Sequence, residues 1–572
     1  MPSSMAALQR LLLLTAHATL QPRCNTLAFV EWARAGGATI SPHISLQPLP
    51  DAPLALGVFA RAKLHRSTTA ARVPYSLLFS PLWCHHAASA KAAIARVKSG
   101  FAGSSSSSRT AAATAATSLN PTEESAFLLA FEAASKDASF WAPWIRCLPQ
   151  PSSLSTPTFW DSRELLELQH SPLRGWVDDR RDAMRRSRLR ILDALAGCAE
   201  WPAAWPPIER VMEKTRWEWA LTMVFTRGFS VPWGGQGRSV PALVPFGGML
   251  NFDPNGHNVV SATGLTPNST KYTFFEFATI DDVAPGVELR AQYGASKASI
   301  ELLFDYGFAY VGNAADYLML PLAALLGPFL EAHDAARRDQ RSGVTAKSAS
   351  SSRSSPFATQ ASVVRRALEE WGFDGGRGNG NGNRNSGDRK VVLQQLESGA
   401  PSFANANDLL VAARLLSRAG VWDDRAVVKA RGTDNACAAA EEGEEEEEEE
   451  EYAYDDEEDE LGGMGLRYRL RYDAAHVASL QRPLRRAAEE AAALRMAASF
   501  LEWVEARYAT SYEEDASLLR QQRDGDGGGH SEQSYDRFRG AVMVRMAEKE
   551  LLRTFATALR SLAERTTAKK VR

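Results

Sequence analysis

Apolar residues recur along this chain at helical spacing in some blocks and at strand spacing in others, with polar low-complexity tracts between them. TLAFVEWARAGGA (26–38) spaces its apolar residues three and four apart. That predicts a short amphipathic helix with Leu27, Val30 and Trp32 or Ala33 inward, stopped by the Gly36-Gly37 pair. ISLQPLPDAPLALGVFARAKLHRSTTAARVPYSLLFS (44–80) is apolar and broken by Pro and Gly, the pattern of short irregular strands. FAGSSSSSRTAAATAATS (101–118) is too polar and too small to pack and reads as a loop. EESAFLLAFEAASKDASFWAPWIRCLP (123–149) predicts a helix that ends before an aromatic turn bearing proline, and helical patterning continues from TPTFWDSRELLELQHSPL (156–173) to about residue 229. Short strands follow, PGVELRAQY (285–293) being the clearest. Beyond about 315 the period is helical: near 318–330, DLLVAARLLSRAG (408–420), AAEEAAALRMAASFLEWVEARY (487–508) and YDRFRGAVMVRMAEKELLRTFATALRSLAERT (535–566). A Ser-rich tract (342–356), a Gly/Asn/Arg-rich tract (374–389) and an acidic run interrupt it, and no internal repeat is visible.

Length and charge sharpen this picture. With 572 residues, 45% of them hydrophobic, the chain can build two or more cores. The net charge of −3 conceals an asymmetry, because EEGEEEEEEEEYAYDDEEDE (441–460) holds 16 acids and no base, leaving +13 on the remainder. So long a run of like charges stays solvated and cannot be core. The basic stretch RRDAMRRSRLR (180–190) has no interleaved aromatics and no groove-reading motif, so it reads as a solvated helix face, and nucleic acid is disfavoured as a partner. Five cysteines (Cys24, Cys84, Cys147, Cys198, Cys437) lie scattered without a CxxC pair, an odd number that argues for a reducing compartment and against a disulfide framework. In Cys84-His85-His86, adjacent side chains point in different directions, so at most two could hold one ion. No apolar run approaches the roughly 18 residues that span a bilayer, and LLLL (11–14) is too short. The first thirty residues contain no acid and hold Arg10, Arg23, hydroxyl residues and many alanines. Residues 1–25 therefore read either as an organelle transit peptide, which would direct the chain to the chloroplast, or as a first helix built on LQRLLLLTAHATL in a cytoplasmic or nuclear protein.

Three segments carry the chemistry: TRWEWALTMVFTRGF (215–229), PALVPFGGMLNF (241–252) and LRAQYGASKASIELLFDYGF (289–308). In this order they resemble the second half of a SET methyltransferase domain, in the branch that includes the Rubisco large-subunit lysine methyltransferases. FVEWARAGG, LGVFARAKL, SFWAPWIRCLP and TPTFWDSRELLELQ precede them in the same order, and MVRMAEKELL lies near the far end, so the resemblance spans most of the chain. It implies an α+β fold: a SET domain of small curved sheets over 26–314, split by a helical insertion at about 90–215, then an all-α substrate-binding domain over 315–572. Within that domain, low-complexity insertions are expected at about 335–360, 374–389 and 435–462.

The implied reaction is methyl transfer from S-adenosyl-L-methionine to the ε-amine of a lysine on a protein substrate. A lysine amine with a pKa near 10.4 is protonated at neutral pH and is then no nucleophile. The enzyme must receive it deprotonated and align it with the donor methyl, so positioning and desolvation supply the acceleration and no metal is required. By resemblance Tyr306, in Tyr306-Gly307-Phe308, is the catalytic tyrosine, and Thr226 and Tyr317 lie on the substrate side. Leu56, Gly57 and Val58 would approach the methionine part of the donor, where a glycine admits close backbone contact. Arg227 would take the donor carboxylate, a task suited to guanidinium, and Asn251 with Phe252 would complete the pocket. The sequence departs from the family's Asp-x-x-Asn-His motif at both flanks of Asn251, with Gly248 in place of Asp and Phe252 in place of His. Ser299 stands where the family has Asn, and only the second glycine of a Gly-x-Gly is kept, at Gly57. A SET-derived partner-binding module without turnover therefore stays open beside the enzyme, as does methylation of a protein histidine. The partner implied is a lysine-bearing protein, with no membrane, and the chain is expected to act as a monomer.

Overall fold

The computed structural model describes residues 24–49, 55–103, 118–196, 201–232, 239–254, 256–265, 272–294, 296–342, 390–395, 401–402, 409–410, 412–414, 487–524 and 532–568. The segment up to residue 23, read as a transit peptide or a first helix, most of the 101–118 tract, the Ser-rich and Gly/Asn/Arg-rich tracts and the acidic run lie outside the described residues. The chain divides into two compact units. The described residues of the first fall within Met1–Leu154 and Asp179–Ala295, and those of the second within Ser155–Asp178, Ser296–Glu447 and Leu466–Arg572.

The first unit is built on curved sheet, mostly antiparallel. Its strands are β1 (Thr39–Ile40), β2 (Ile44–Pro48), β3 (Leu56–Ala60), β4 (Thr69–Pro74), β5 (Gly228–Pro232), β6 (Ser239–Leu243), β7 (Asn251–Phe252), β8 (Val259–Leu265), β9 (Tyr272–Thr279) and β10 (Glu288–Ala291). They order as β1-β4-β9-β8-β10-β3-β2, with β7 paired to β10 and with β5-β6 forming a separate hairpin. The pairing is antiparallel except where β10 pairs parallel with β7 and β8. The short, Pro- and Gly-broken strands expected over 44–80 are β2, β3 and β4, and β10 lies within PGVELRAQY. β9 shows why such a segment is a strand: Phe275 and Phe277 point into the core while Glu276 alternates to the other face. There Glu276 stands opposite Arg72 of β4 and ion-pairs with it at 2.8 Å, the cross-strand arrangement that fixes register.

The longer helices of this unit are α1 (Thr26–Ala35), α2 (Ala88–Gly103), α3 (Pro121–Ser135), α4 (Leu173–Ala196, of which Asp179 onward belongs to this unit) and α5 (Lys214–Arg227). α3 starts at a reciprocal capping box between Asn120 and Glu123 with proline at its first turn, and it buries every residue from Ser125 to Glu132. α1 forms where its period predicts, but on a shifted face. Phe29 and Ala33 are buried while Leu27 is 66% exposed. The reason is aromatic: Phe29 and Trp32 pack into a cluster with Trp141, Phe140, Phe79 and Trp144, and that larger area outweighs the leucine.

One reading of the cysteines needs correction. Cys24 and Cys147 form a disulfide with Cα atoms 4.5 Å apart, although no regular spacing announced it. Cys24 immediately precedes Asn25, the N-cap of α1, and Cys147 follows the aromatic turn, so packing of α1 on the tryptophans brings the two sulfurs together. Cys84 is buried with its thiol toward the Leu78 carbonyl, and burial pushes its pKa well up. His86 stacks on the ring of Phe140.

The second unit carries α6 (Ser299–Tyr306), α7 (Leu322–Ser342), α8 (Ala487–Ala506), α9 (Tyr512–Asp524) and α10 (Glu532–Ala568). Alanines let α8 and α10 approach closely around Phe329, Leu494, Phe500, Leu552 and Phe555. This region is helical as expected, with one addition. Residues 317–321 are not helix but β11 (Tyr317–Pro321), paired with β12 (Lys390–Gln395), which in turn pairs with β13 (Pro401–Ser402). Leu318 and Leu320 alternate inward at a period of two, and the helix begins only at Leu322.

A buried polar network runs through this unit. Lys549 and Arg545 converge on the fully buried Asp515 at 2.5 and 2.7 Å, and Arg545 also pairs with Glu167 at 3.2 Å, so two cations are balanced by two acids. Next to them Glu548 accepts from Ser171 Oγ at 2.6 Å and Tyr508 Oη at 2.9 Å. Burial raises the Glu548 pKa from 4.5 to about 7 against those two hydrogen bonds.

Two outcomes follow for stability. Reduction of the disulfide, or Cys24→Ser, is expected to lower the unfolding free energy of the first unit by about 3–5 kcal/mol through the 123-residue separation it closes, checked by denaturant unfolding with and without dithiothreitol. The folded-state pKa of Glu548 is raised, so its contribution is full below about pH 4.5 and is lost as pH rises through about 7. Thermal scans between pH 5 and 8 should show the second unit losing on the order of 3 kcal/mol, and Glu548→Gln should flatten that slope.

Candidate functional site

The first unit gathers Leu56, Gly57, Val58, Asn251 and Phe252 along the seam where β10 meets β3 and β7, while Thr226 and Arg227 end helix α5 beside Gly248. Parallel pairing sets Arg290 beside Asn251 and Ala291 beside Phe252, while antiparallel pairing sets Glu288 beside Phe59 and Leu289 beside Val58. Asn251 Nδ2 donates to the Leu56 carbonyl at 3.0 Å and to Glu288 Oε1 at 2.7 Å. Gly57 is buried, and a Cβ there would lie 2.7 Å from Glu288 Oε1, 2.8 Å from Leu49 and 2.9 Å from Phe59. The glycine is therefore required because the carboxylate already fills the space above it.

The segment leading to Asn251 is bent by Phe246, whose φ of +81° and ψ of −48° place a non-glycine residue in a strained γ-turn-like conformation. The turn aims Gly248 at Arg227: a Cβ on Gly248 would sit 3.3 Å from the arginine Cδ. Arg227 is the last residue of α5 and is half-buried. Its Nη1 donates to Thr226 Oγ1 at 2.9 Å, while its Nε is sealed from solvent without a hydrogen-bond partner. Burial lowers its pKa, opposed by the nearby Tyr293. Thr226 also bonds back to the Thr222 carbonyl at 2.8 Å, so in this unit it acts as a fixed prop for the guanidinium.

Phe252 packs its ring on Tyr293 at 5.4 Å, and the Tyr293 hydroxyl donates to the Leu250 carbonyl at 2.6 Å. Burial raises the Tyr293 pKa, so its phenol stays a donor. Sequence reasoning missed Tyr293, Glu288, Arg290 and Asp253. Glu288 carried no signal: alternation in PGVELRAQY sets it on the polar face with Arg290, yet Glu288 and Leu289 are both buried. Arg290 bonds Glu288 Oε2 at 2.8 Å and Asp253 Oδ2 at 3.0 Å, and those carboxylates raise its pKa, Glu288 first.

Tyr306 and Tyr317 belong to the second unit. Tyr306 ends α6, with the Lys297 ammonium 5.5 Å from its ring and bonded to Asp305 at 3.4 Å. Gly307 follows with φ +86°, and a Cβ there would lie 2.6 Å from the backbone of Ser155 and Thr156, so only glycine can close this helix. The Tyr317 hydroxyl is hydrogen-bonded to Glu301, and burial together with that carboxylate pushes the phenol pKa up. Ser299 donates from its backbone N–H and its hydroxyl to Asp316, at 2.5 and 3.1 Å. Burial raises Asp316 to about 6.

No family model matches the sequence, and no curated protein does. Solved structures do match the fold. The SET domain of LSMT bound to lysine and AdoHcy superposes with a TM-score of 0.53 at 16% identity, covering 95% of this chain and 92% of that one. Rubisco LSMT bound to sinefungin and monomethyllysine gives 0.51 at 17% identity, and Rubisco LSMT bound to AdoMet gives 0.52 at 16%, with the same coverage. The chain thus has the α+β fold of the Rubisco LSMT structures, a SET domain followed by a helical region.

Proposed function

We propose that the protein is an S-adenosyl-L-methionine-dependent protein-lysine N-methyltransferase. The observation that carries this reading is Arg227, a half-buried cation whose Nε is sealed from solvent and has no partner. A guanidinium so placed fits an anion that the chain itself does not supply, and the α-carboxylate of the methionine end is such an anion. Solved structures of the same fold hold AdoMet, AdoHcy with lysine, or sinefungin with monomethyllysine. The donor supplies an electrophilic methyl on a sulfonium. The chain's own residues hold and orient: Arg227 binds the carboxylate, Leu56–Val58 and Asn251 line the methionine end, and Phe252 with Tyr293 makes the apolar wall.

On the acceptor side Tyr306 is assigned as the catalytic tyrosine and Tyr317, with Thr226, to the substrate side. A phenol hydroxyl can receive the substrate amine in a water-poor setting, and desolvation lowers the cost of delivering that amine neutral. The acceptor is a lysine on a protein, with S-adenosyl-L-methionine the only cofactor and with the chain acting as a monomer. The N-terminal composition supports a chloroplast address.

A second reading is favoured by Gly248 and Phe252: a SET-derived module that binds a protein partner without turnover. Calorimetry with S-adenosylmethionine and transfer of labelled methyl to lysate proteins separate the two. Wild-type chain should bind the donor and label protein, with the label recovered as methyllysine. Arg227→Ala should weaken donor binding at least tenfold, and Tyr306→Phe should cut kcat about a hundredfold while leaving donor affinity within threefold. Donor binding with no label on any protein would sink the enzyme reading and leave the module, whereas label recovered as methylhistidine would change the acceptor.

A further inference from the structure

We infer that Glu288 is a positioning residue for the methyl donor, acting through the side-chain amide of Asn251; this rests on the function proposed above. Two oxygens flank the same terminal atom of Asn251, the Leu56 carbonyl at 3.0 Å and Glu288 Oε1 at 2.7 Å. Neither a carbonyl nor a carboxylate has a proton to give, so that terminal atom must be the amide nitrogen, and both of its hydrogens are used. Flipping the amide would set its oxygen against two oxygens and forfeit both bonds. Oδ1 is consequently the amide's outward polar atom, and it can only accept.

Glu288 is held so that it cannot relax. It is 8% exposed, its Oε2 accepts from Arg290 Nε at 2.8 Å, and Arg290 is anchored in turn to Asp253 Oδ2 at 3.0 Å. Asp253 belongs to the same chain segment as Asn251, which closes the loop of contacts. The carboxylate lies against the bare Cα of Gly57, where a Cβ would meet it at 2.7 Å. The methionine end of the donor carries one group of each polarity, an ammonium that donates and a carboxylate that accepts. Arg227 answers the carboxylate, and an Asn251 amide locked with Oδ1 outward answers the ammonium. Without Glu288 only the Leu56 carbonyl opposes the flipped amide, which presents hydrogens toward an ammonium and repels it.

Glu288→Ala, Asn251→Ala and the double variant of the full chain, with Glu288→Gln as the conservative control, test this by titration with S-adenosylmethionine and by denaturant unfolding without it. Each alanine variant is expected to raise the donor Kd about tenfold, the size of a lost hydrogen bond to a charged group. The double variant should be no weaker than Asn251→Ala, because Glu288 acts only through that amide. Glu288→Gln still offers an oxygen to Asn251 Nδ2 and should stay within about threefold. At saturating donor, kcat should fall less than affinity does. An alanine variant that loses stability but binds the donor as tightly as wild type overturns the inference, as do effects that multiply in the double variant. If the wild-type chain does not bind the donor, the methyltransferase reading falls and the donor role of Glu288 falls with it, an outcome distinct from unaltered binding by Glu288→Ala.

Discussion

Strand β10 has to join three neighbours at once, and the buried carboxylate it carries at Glu288 decides what those neighbours can be. A carboxylate taken out of water costs several kcal/mol unless charge and hydrogen bonds replace the lost solvation. Here Arg290 supplies the charge and Asn251 a donor, and both stand in register because β7 pairs parallel to β10 at that pair of residues. The same carboxylate forbids a side chain at position 57. One buried acid thus explains a glycine in β3, an asparagine in β7 and an arginine two residues along its own strand.

The opposite case is the buried cation of the site. Arg227 is also withdrawn from solvent, yet its guanidinium donates to the neutral Thr226 hydroxyl and the position facing its stem is Gly248 rather than an acid. The energetic contrast is informative. Glu288 is compensated within the fold and so serves to hold shape, whereas Arg227 is left with electrostatic potential that an incoming anion can satisfy. A carboxylate at position 248, as in the resembled family, would stand beside the arginine and share that potential. Its replacement by glycine makes the cation more available, which is why this departure argues less against donor binding than a lost acid first suggests.

The fold was legible where local pattern and packing agree. The β-strands over 44–80, the buried helix at 121–135 with its capping box, and the long helices after 487 all follow from spacing and punctuation. Reasoning from period alone failed where a partner far along the chain decides the outcome. Leu27 lost the inward face of α1 to Phe29 because Trp141, over a hundred residues on, offers a larger apolar partner. Cys24 meets Cys147 for the same reason. YLMLP became a strand because β12, itself more than sixty residues away, pairs with it. For the site, motif order pointed to Arg227 and Asn251, but Glu288 and Tyr293 carry no motif of their own and emerge only from what they touch.

Phe252 shows how far a departure from motif can be absorbed. Exchanging an imidazole for a phenyl ring removes a donor and an acceptor but keeps an aromatic body of similar size, and that body packs at a tilt against Tyr293. Tyr293 does not depend on residue 252 for its orientation, since its hydroxyl is fixed on the Leu250 carbonyl. Nor does the backbone: Phe252 stays paired with Ala291, and the next N–H, of Asp253, donates to the Ala291 carbonyl at 3.2 Å. The substitution therefore costs polarity at one point while shape and backbone are carried by other residues. The polar work in this half of the site then falls to Arg227 and to an amide whose orientation Glu288 sets. Both can be removed one at a time without touching the aromatic wall.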